Sequence, residues 1–134
     1  MPITAILIDD EPLARQIIRE FLLAFPQIEI LAECENGKQA VAAINHHKPD
    51  LIFLDVQMPG MDGFELCTKI RALPTNKTTP VIFVTSLTDF KSRARSSLSG
   101  GNDLIAKPFM FIELAVKALT HVIRGRVVQQ KLAA

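Results

Sequence analysis

One stretch limits the fold more than any other. Leu51-Ile52-Phe53-Leu54 runs directly into Asp55, and then into Val56-Gln57-Met58-Pro59-Gly60-Met61-Asp62-Gly63, a turn crowded with proline and glycine. Four consecutive apolar residues with no polar alternation suit a strand covered on both faces, as in the centre of a parallel sheet. A buried helical segment has the same periodicity, so the rest of the chain must arbitrate.

The flanking sequence repeats the pattern. Ala5–Ile8 is a short apolar run ending at Asp9-Asp10. Ile28–Cys34 is a run with a partly polar side, as at a sheet edge. Pro80–Val84 ends at Thr85-Ser86, and Asp103–Ala106 ends at Lys107-Pro108. Between the runs the spacing turns helical. Leu13, Ile17, Ile18, Leu22 and Phe25 follow Pro12, which suits a first helical turn, and Ala40, Val41 and Ile44 lie within a segment from Lys38 to His46. Phe64, Leu66, Cys67 and Ile70 lie within Gly63–Leu73, and Asp89–Leu98 is polar. A last segment from Phe109 carries Ile112, Leu114, Ala115, Val116, Leu119, Val122 and Ile123. Five strands alternating with five helices predict an α/β three-layer sandwich around a parallel sheet. Gly125 weakens the final helix, so residues 1–124 are expected to form the domain and 125–134 a helical extension or a linker.

With 134 residues and 49% hydrophobic composition, one domain can fill its core without disulfides or structural metal. The balance of 15 basic against 14 acidic residues gives no field that would draw nucleic acid or a membrane to this domain. Cys34 and Cys67 sit in apolar surroundings without metal-ligand spacing, which predicts buried free thiols in a reducing, cytoplasmic setting. No apolar run approaches the roughly 18 residues of a membrane span, and no basic segment precedes the short apolar run at the N-terminus.

In a parallel sheet the residues just past the C-terminal ends of the strands are neighbours, whatever their separation in sequence. Asp9, Asp10, Asp55, Thr85 and Lys107 all occupy such positions, on four strands. Any one of them alone is more often a solvated loop residue, but their convergence suggests a site. Clustered carboxylates need a compensating cation. Oxygen ligands without cysteine or histidine select Mg²⁺ or a similar hard ion. Acids, a hydroxyl and a lysine around such an ion are the groups that phosphoryl transfer requires.

Taken together, Asp9-Asp10, Asp55 with Met58-Pro59-Gly60-Met61-Asp62-Gly63, Thr85-Ser86 and Lys107-Pro108-Phe109 make the sequence resemble a receiver domain of the two-component response regulator family, over about Ile3 to Ile123. The resemblance implies a flavodoxin-like sheet of order 2-1-3-4-5 and a cis Lys107-Pro108 bond. It implies Asp55 as acceptor of a phosphoryl group from a sensor histidine kinase or phosphotransfer protein. It also implies Mg²⁺ held by Asp10, Asp55 and the Gln57 backbone carbonyl with Asp9 assisting, and Thr85 and Lys107 on the phosphoryl oxygens. In relatives, the fourth helix, fifth strand and fifth helix form an output face for a homodimer or an effector.

Three positions shape what the family pattern would do here. An aromatic residue that moves with the threonine is common where this chain has Leu104, so a weaker or differently routed switch through Thr85 and Leu104 is expected. Gln57 and Leu87 occupy positions that tune the lifetime of the aspartyl phosphate, and leucine cannot orient water, so a long-lived phosphoryl group is expected. Lys91, Arg93 and Arg95 read mainly as a solvated face, with a partner contact as the sharper alternative. His46 and His47 read as helix-end residues without a metal role and His121 as an exposed or rim residue, while Phe109, Met110 and Phe111 read chiefly as core. Two rival functions remain at this point. A haloacid-dehalogenase-type phosphatase would need a carboxylate where Gln57 stands, and a receiver-like interaction module would not be phosphorylated at all. The sequence fits either a single-domain regulator or a piece of a longer protein.

Overall fold

A computed structural model describes residues 2–133 and places five strands in one parallel sheet of order β2-β1-β3-β4-β5. The strands are β1 (Ile3–Ile8), β2 (Ile28–Cys34), β3 (Leu51–Leu54), β4 (Val81–Thr85) and β5 (Asp103–Ala106). The helices are α1 (Pro12–Leu22), α2 (Gly37–His47), α3 (Gly63–Ala72), α4 (Phe90–Leu98) and α5 (Phe111–Ala133), with a short 3₁₀ turn at Pro74–Asn76. Side-chain positions at Phe111 and beyond Val128 lie outside the described residues, so the expectation for the Phe111 ring is left there.

Sheet order follows from which strands are apolar on both sides. Every residue of β3 and β4 is buried, and these strands occupy interior positions. In β2, Glu29 and Glu33 are exposed, which an edge strand tolerates. Alternate residues feed two cores. Ile52 and Leu54 join Ala40 and Ile44 of α2 and Phe64, Cys67 and Ile70 of α3 on one face. Leu51 and Phe53 join Ile18 and Leu22 of α1 and Leu114, Ala118 and Val122 of α5 on the other. Both cysteines are buried and free, and burial pushes their thiols above the ordinary range, as structural thiols should be.

Several sequence expectations need correction. Leu13 and Ile17 share the predicted apolar stripe of α1, yet they are 66% and 39% exposed. Ile112, Val116 and Ile123 are likewise exposed, and α5 is buried instead through Leu114, Ala115, Ala118 and Val122. Apart from these corrections, α5 is helical from Phe111 through Gly125 to Ala133. Within α4 the inward residues are small, Ser92 and Ser96, while Lys91 and Arg93 are exposed. Arg95 is half-exposed but not simply solvated. Its guanidinium lies 4.5 Å from the Phe64 ring centroid and 3.7 Å from Asp62 Oδ2, tying α4 to the start of α3.

Candidate functional site

The sheet brings the predicted residues to one edge. Asp9 and Asp10 follow β1, Asp55 follows β3, Thr85 ends β4 and Lys107 follows β5. Backbone bonds fix these positions: Asp55 N donates to Ile8 O at 2.9 Å, and Lys107 N donates to Thr85 O at 2.9 Å. The Lys107-Pro108 peptide is cis.

The loop after Asp55 is built by two glycines. Gly60 has φ +82°, a conformation open to glycine at little cost after the φ-restrained Pro59. Gly63 is required by contact. A Cβ there would lie 2.2 Å from the Asp55 carbonyl oxygen, and its N–H donates to Val56 O at 2.9 Å. The first turn of α3 therefore rests directly on the backbone that carries Asp55, with Asp62 as N-cap accepting from Glu65 N at 2.9 Å.

Asp9, Asp10 and Asp55 each offer a carboxylate oxygen, and these oxygens lie within 4.8 Å of one another. Asp9 and Asp55 are 2% and 4% exposed, so water does little to relieve their repulsion. Lys107 Nζ supplies the nearest cation, 2.8 Å from Asp9 Oδ2 and 3.7 Å from Asp55 Oδ2. Burial opposes the lysine's charge, but its bond to Asp9 and the neighbouring carboxylates outweigh that and hold its pKa above the ordinary value. One ammonium does not balance three acids. Burial, reinforced by Asp9, pushes the Asp55 carboxyl up to about 6, against the opposing pull of Lys107, the Val56 N–H and Thr85.

The remaining contacts show which oxygens are committed. Asp55 Oδ1 accepts from Val56 N at 2.8 Å, and Asp9 Oδ1 accepts from Glu11 N at 3.0 Å. Asp10 Oδ1 is buried and accepts from no described residue. A lone buried carboxylate oxygen beside two further acids is what a hard cation would satisfy, so the donor set fits Mg²⁺. Thr85 is fully buried, and its hydroxyl oxygen accepts from Leu87 N at 3.2 Å. Leu87 is partly buried against the α2–α3 core, and Leu104 belongs to the same core at 7% exposure. Gln57 leaves the site by its side chain, which accepts from Ser86 Oγ at 3.2 Å.

Arg15 was not among the residues expected at this edge. Its Nη1 donates to the Asp9 carbonyl at 2.6 Å, bracing the acidic pair from α1. The lone signal in the sequence is the six-residue spacing across a strand-to-helix turn, which many arginines share. His121 also differs from a simple rim residue. It is half-buried, and Nε2 lies 2.9 Å from Asp103 Oδ2, well away from the acidic cluster. Burial alone would raise the Asp103 carboxyl, but His121, the Leu104 N–H and Lys117 hold it below the ordinary value.

Comparison with known proteins agrees with this geometry. Residues 5–119 match the model of the response regulator receiver domain. An uncharacterised response regulatory protein of Vibrio cholerae is 38% identical over 84% of this chain and 42% of its own length. A protein-glutamate methylesterase/protein-glutamine glutaminase of Pseudomonas aeruginosa is 36% identical over 94% of this chain and 36% of its own length. The chain thus spans well under half of these relatives. Among solved structures, the receiver domain of a sensor histidine kinase from Pseudomonas aeruginosa, with a magnesium ion coordinated in its active-site cleft, is 25% identical with a TM-score of 0.82, covering 91% of this chain and 98% of that one. With the sheet order, the acidic edge and the matched residues in agreement, the chain belongs to the response regulator receiver domain family.

Proposed function

We propose that Asp55 accepts a phosphoryl group from a phosphohistidine on a sensor kinase or phosphotransfer protein, in a reaction that depends on Mg²⁺. The observation that carries this reading is the placement of the Asp55 carboxylate. It is buried beside two other acids, with Lys107 Nζ 3.7 Å away and the Thr85 side chain adjoining it. A carboxylate oxygen of Asp55 forms the new O–P bond as the N–P bond breaks, and the electron pair of that bond stays on the departing imidazole. Asp10, Asp55 and the Gln57 carbonyl, with help from Asp9, would hold Mg²⁺, which would supply positive charge to offset the acids and the phosphoryl oxygens. Lys107 adds a second cation, and the Thr85 hydroxyl can turn from its present partners to donate to a phosphoryl oxygen. Catalysis is electrostatic, and the domain's role is regulatory.

Incubation with Mg²⁺ and acetyl phosphate tests the proposal. One phosphoryl group per chain by intact mass, absent in Asp55→Asn, is the expected result. Many turnovers of phosphate release would instead identify a phosphatase of the haloacid-dehalogenase kind. Neither uptake nor turnover would identify an interaction module that is not phosphorylated.

Downstream, Leu104 has no polar tip and is already buried, so the signal from Thr85 passes weakly through this position. Phosphorylation should change the chemical shifts of Thr85 and α4 less than in relatives with an aromatic residue here; equal changes would refute this. Output to an effector or a second copy runs through α4, β5 and α5, where Phe90, Leu98, Ile112 and Val116 are exposed. None of the described helices is long and apolar enough to cross a membrane.

A further inference from the structure

We propose that Arg15 is a positioning residue for the metal site: by holding the Asp9 carbonyl it aims the Asp10 carboxylate, and so raises affinity for Mg²⁺ although it is itself a cation. The inference rests on the reading that Asp10 is a ligand of that ion. What motivates it is how unevenly the two adjacent acids are held.

Asp9 is fixed at four atoms. Its N–H donates to Cys34 O at 3.0 Å, Oδ1 accepts from Glu11 N at 3.0 Å, Oδ2 lies 2.8 Å from Lys107 Nζ, and the carbonyl oxygen accepts from Arg15 Nη1 at 2.6 Å. Asp10 has no such frame. Its Oδ1 is buried and accepts from no described residue, so its side chain takes its direction from the backbone that leads into it. That backbone is the peptide between Asp9 and Asp10, a rigid plane whose oxygen is the atom that Arg15 holds. The paired register of β1 ends at Ile8 on both sides. Arg15 thus does for the Asp9 carbonyl what neighbouring strands do for the carbonyls before it.

Arg15 is itself held in place. It is the fourth residue of α1, and its N–H donates to Glu11 O at 3.2 Å. The side chain is 16% exposed, with Nε 3.3 Å from Glu33 Oε1 on β2, and Arg19 Nη1 lies 2.5 Å from the other oxygen of Glu33. Among the described residues the ion pair of Arg15 is with Glu33, whereas Lys107 reaches the carboxylates of Asp9 and Asp55 themselves. The two cations therefore differ in kind: Lys107 acts on charge, and Arg15 on direction.

Charge and direction give opposite signs. A cation that only added positive charge would repel Mg²⁺, and its removal would tighten binding. A group that orients a ligand does the reverse, and losing one commonly costs about 10–100-fold in metal affinity.

Titration of the full chain with Mg²⁺, followed by amide NMR on variants shown by urea unfolding to be folded, separates the two. Arg15→Met, or Arg15→Gln should the apolar side chain upset folding, is expected to raise the Kd for Mg²⁺ about tenfold, at the low end of such effects. Arg15→Lys keeps a donor for the carbonyl and should recover most of the loss. Arg19→Met removes the other partner of Glu33 without touching Asp9 and should leave the Kd unchanged. With acetyl phosphate, the Mg²⁺ concentration for half-maximal phosphorylation should rise with the Kd while the rate at saturating Mg²⁺ stays near the native rate. The inference is overturned if loss of Arg15 leaves Mg²⁺ binding as tight as in the native chain or tighter. An equal loss in Arg19→Met also overturns it, by tracing the effect to the α1–β2 contact as a whole. Absence of Mg²⁺ binding in the native chain would overturn the reading of Asp10 as a ligand, and the inference with it. In that case the native chain itself fails, which tells the two failures apart.

Discussion

The two edges of the sheet treat polar groups in opposite ways. At the edge where the strands begin, Arg71 donates to Gly100 O at 2.9 Å, Asn76 O at 3.0 Å, Thr79 O at 2.6 Å and Asn102 Oδ1 at 2.7 Å, and Asp50 is held by Thr4. At the edge where the strands end, three acids share one lysine, and one buried carboxylate oxygen has no described partner. The first arrangement closes its hydrogen bonds internally and contributes stability. The second leaves a charge deficit that costs stability in the isolated chain and gives it affinity for a cation and a phosphoryl group.

The largest effect should come from breaking the closed edge. Arg71→Met keeps much of the apolar stem but removes the donor to three carbonyls and leaves Asn102 Oδ1 with Val81 N alone. The loss should be about 3–5 kcal/mol of unfolding free energy, measured by urea denaturation. Phosphoryl uptake per folded molecule should not change, since Arg71 is remote from Asp55. A loss under about 1 kcal/mol would mean that water replaces the guanidinium and that this edge is not closed by it.

Removing charge from the open edge should do the reverse. Asp55 has a folded pKa of about 6 against an ordinary 3.8, so the folded state binds its proton more tightly than the unfolded chain does. The resulting penalty is present in full above about pH 6, shrinks as pH falls through that value, and is gone below about 3.8. The interval corresponds to about 3 kcal/mol. In metal-free buffer at pH 8, Asp55→Asn should therefore be more stable than the native chain by about 2–3 kcal/mol, with the gap closing toward pH 4. Mg²⁺ should stabilise the native chain more than the variant. A variant less stable at pH 8 would show that Asp55 is already compensated.

A smaller effect is expected in kinetics. Leu87 donates its N–H to Thr85, and its apolar side chain packs against the α2–α3 core. Leu87→Glu should speed loss of the phosphoryl group about tenfold by orienting water, near the low end of general-base effects. An unchanged rate would remove Leu87 as the cause of a long lifetime.

What could be read from the sequence followed the reach of the signals. Leu51–Leu54 is buried on both faces, so its unbroken apolar run fits an interior strand once the alternating strand and helix pattern of the rest of the chain excludes a buried helix, and the acids and lysine at the strand ends converge because the sheet is parallel. Strand order came from family resemblance, because apolar runs do not say which neighbour they pair with. Leu13 and Ile17 show the limit of periodicity: it identifies one side of a helix but not how much of that side another element covers. Arg71 with Asn102, Arg95 over Phe64 and His121 with Asp103 were invisible for a different reason. Each pairs residues 18 to 31 positions apart, and a charged side chain has the same sequence signature whether it is solvated or paired.

The smallest effect bears on whether the closed edge is optimised throughout. Gly125 interrupts a helix that continues to Ala133, and a Cβ at that position has open space around it. Among the described residues no packing opposes alanine, so Gly125→Ala should gain what helix propensity predicts, about 0.5–1 kcal/mol, seen as a rise of a few degrees in Tm. Such a gain would show that this edge, too, gives up stability at one position, on a much smaller scale than the acids around Asp55. A loss would mean that α5 needs a glycine to follow its path past Pro49 and Pro80, making Gly125 a structural requirement of the edge. The sign of one small number therefore separates a glycine that the helix merely tolerates from one that it needs.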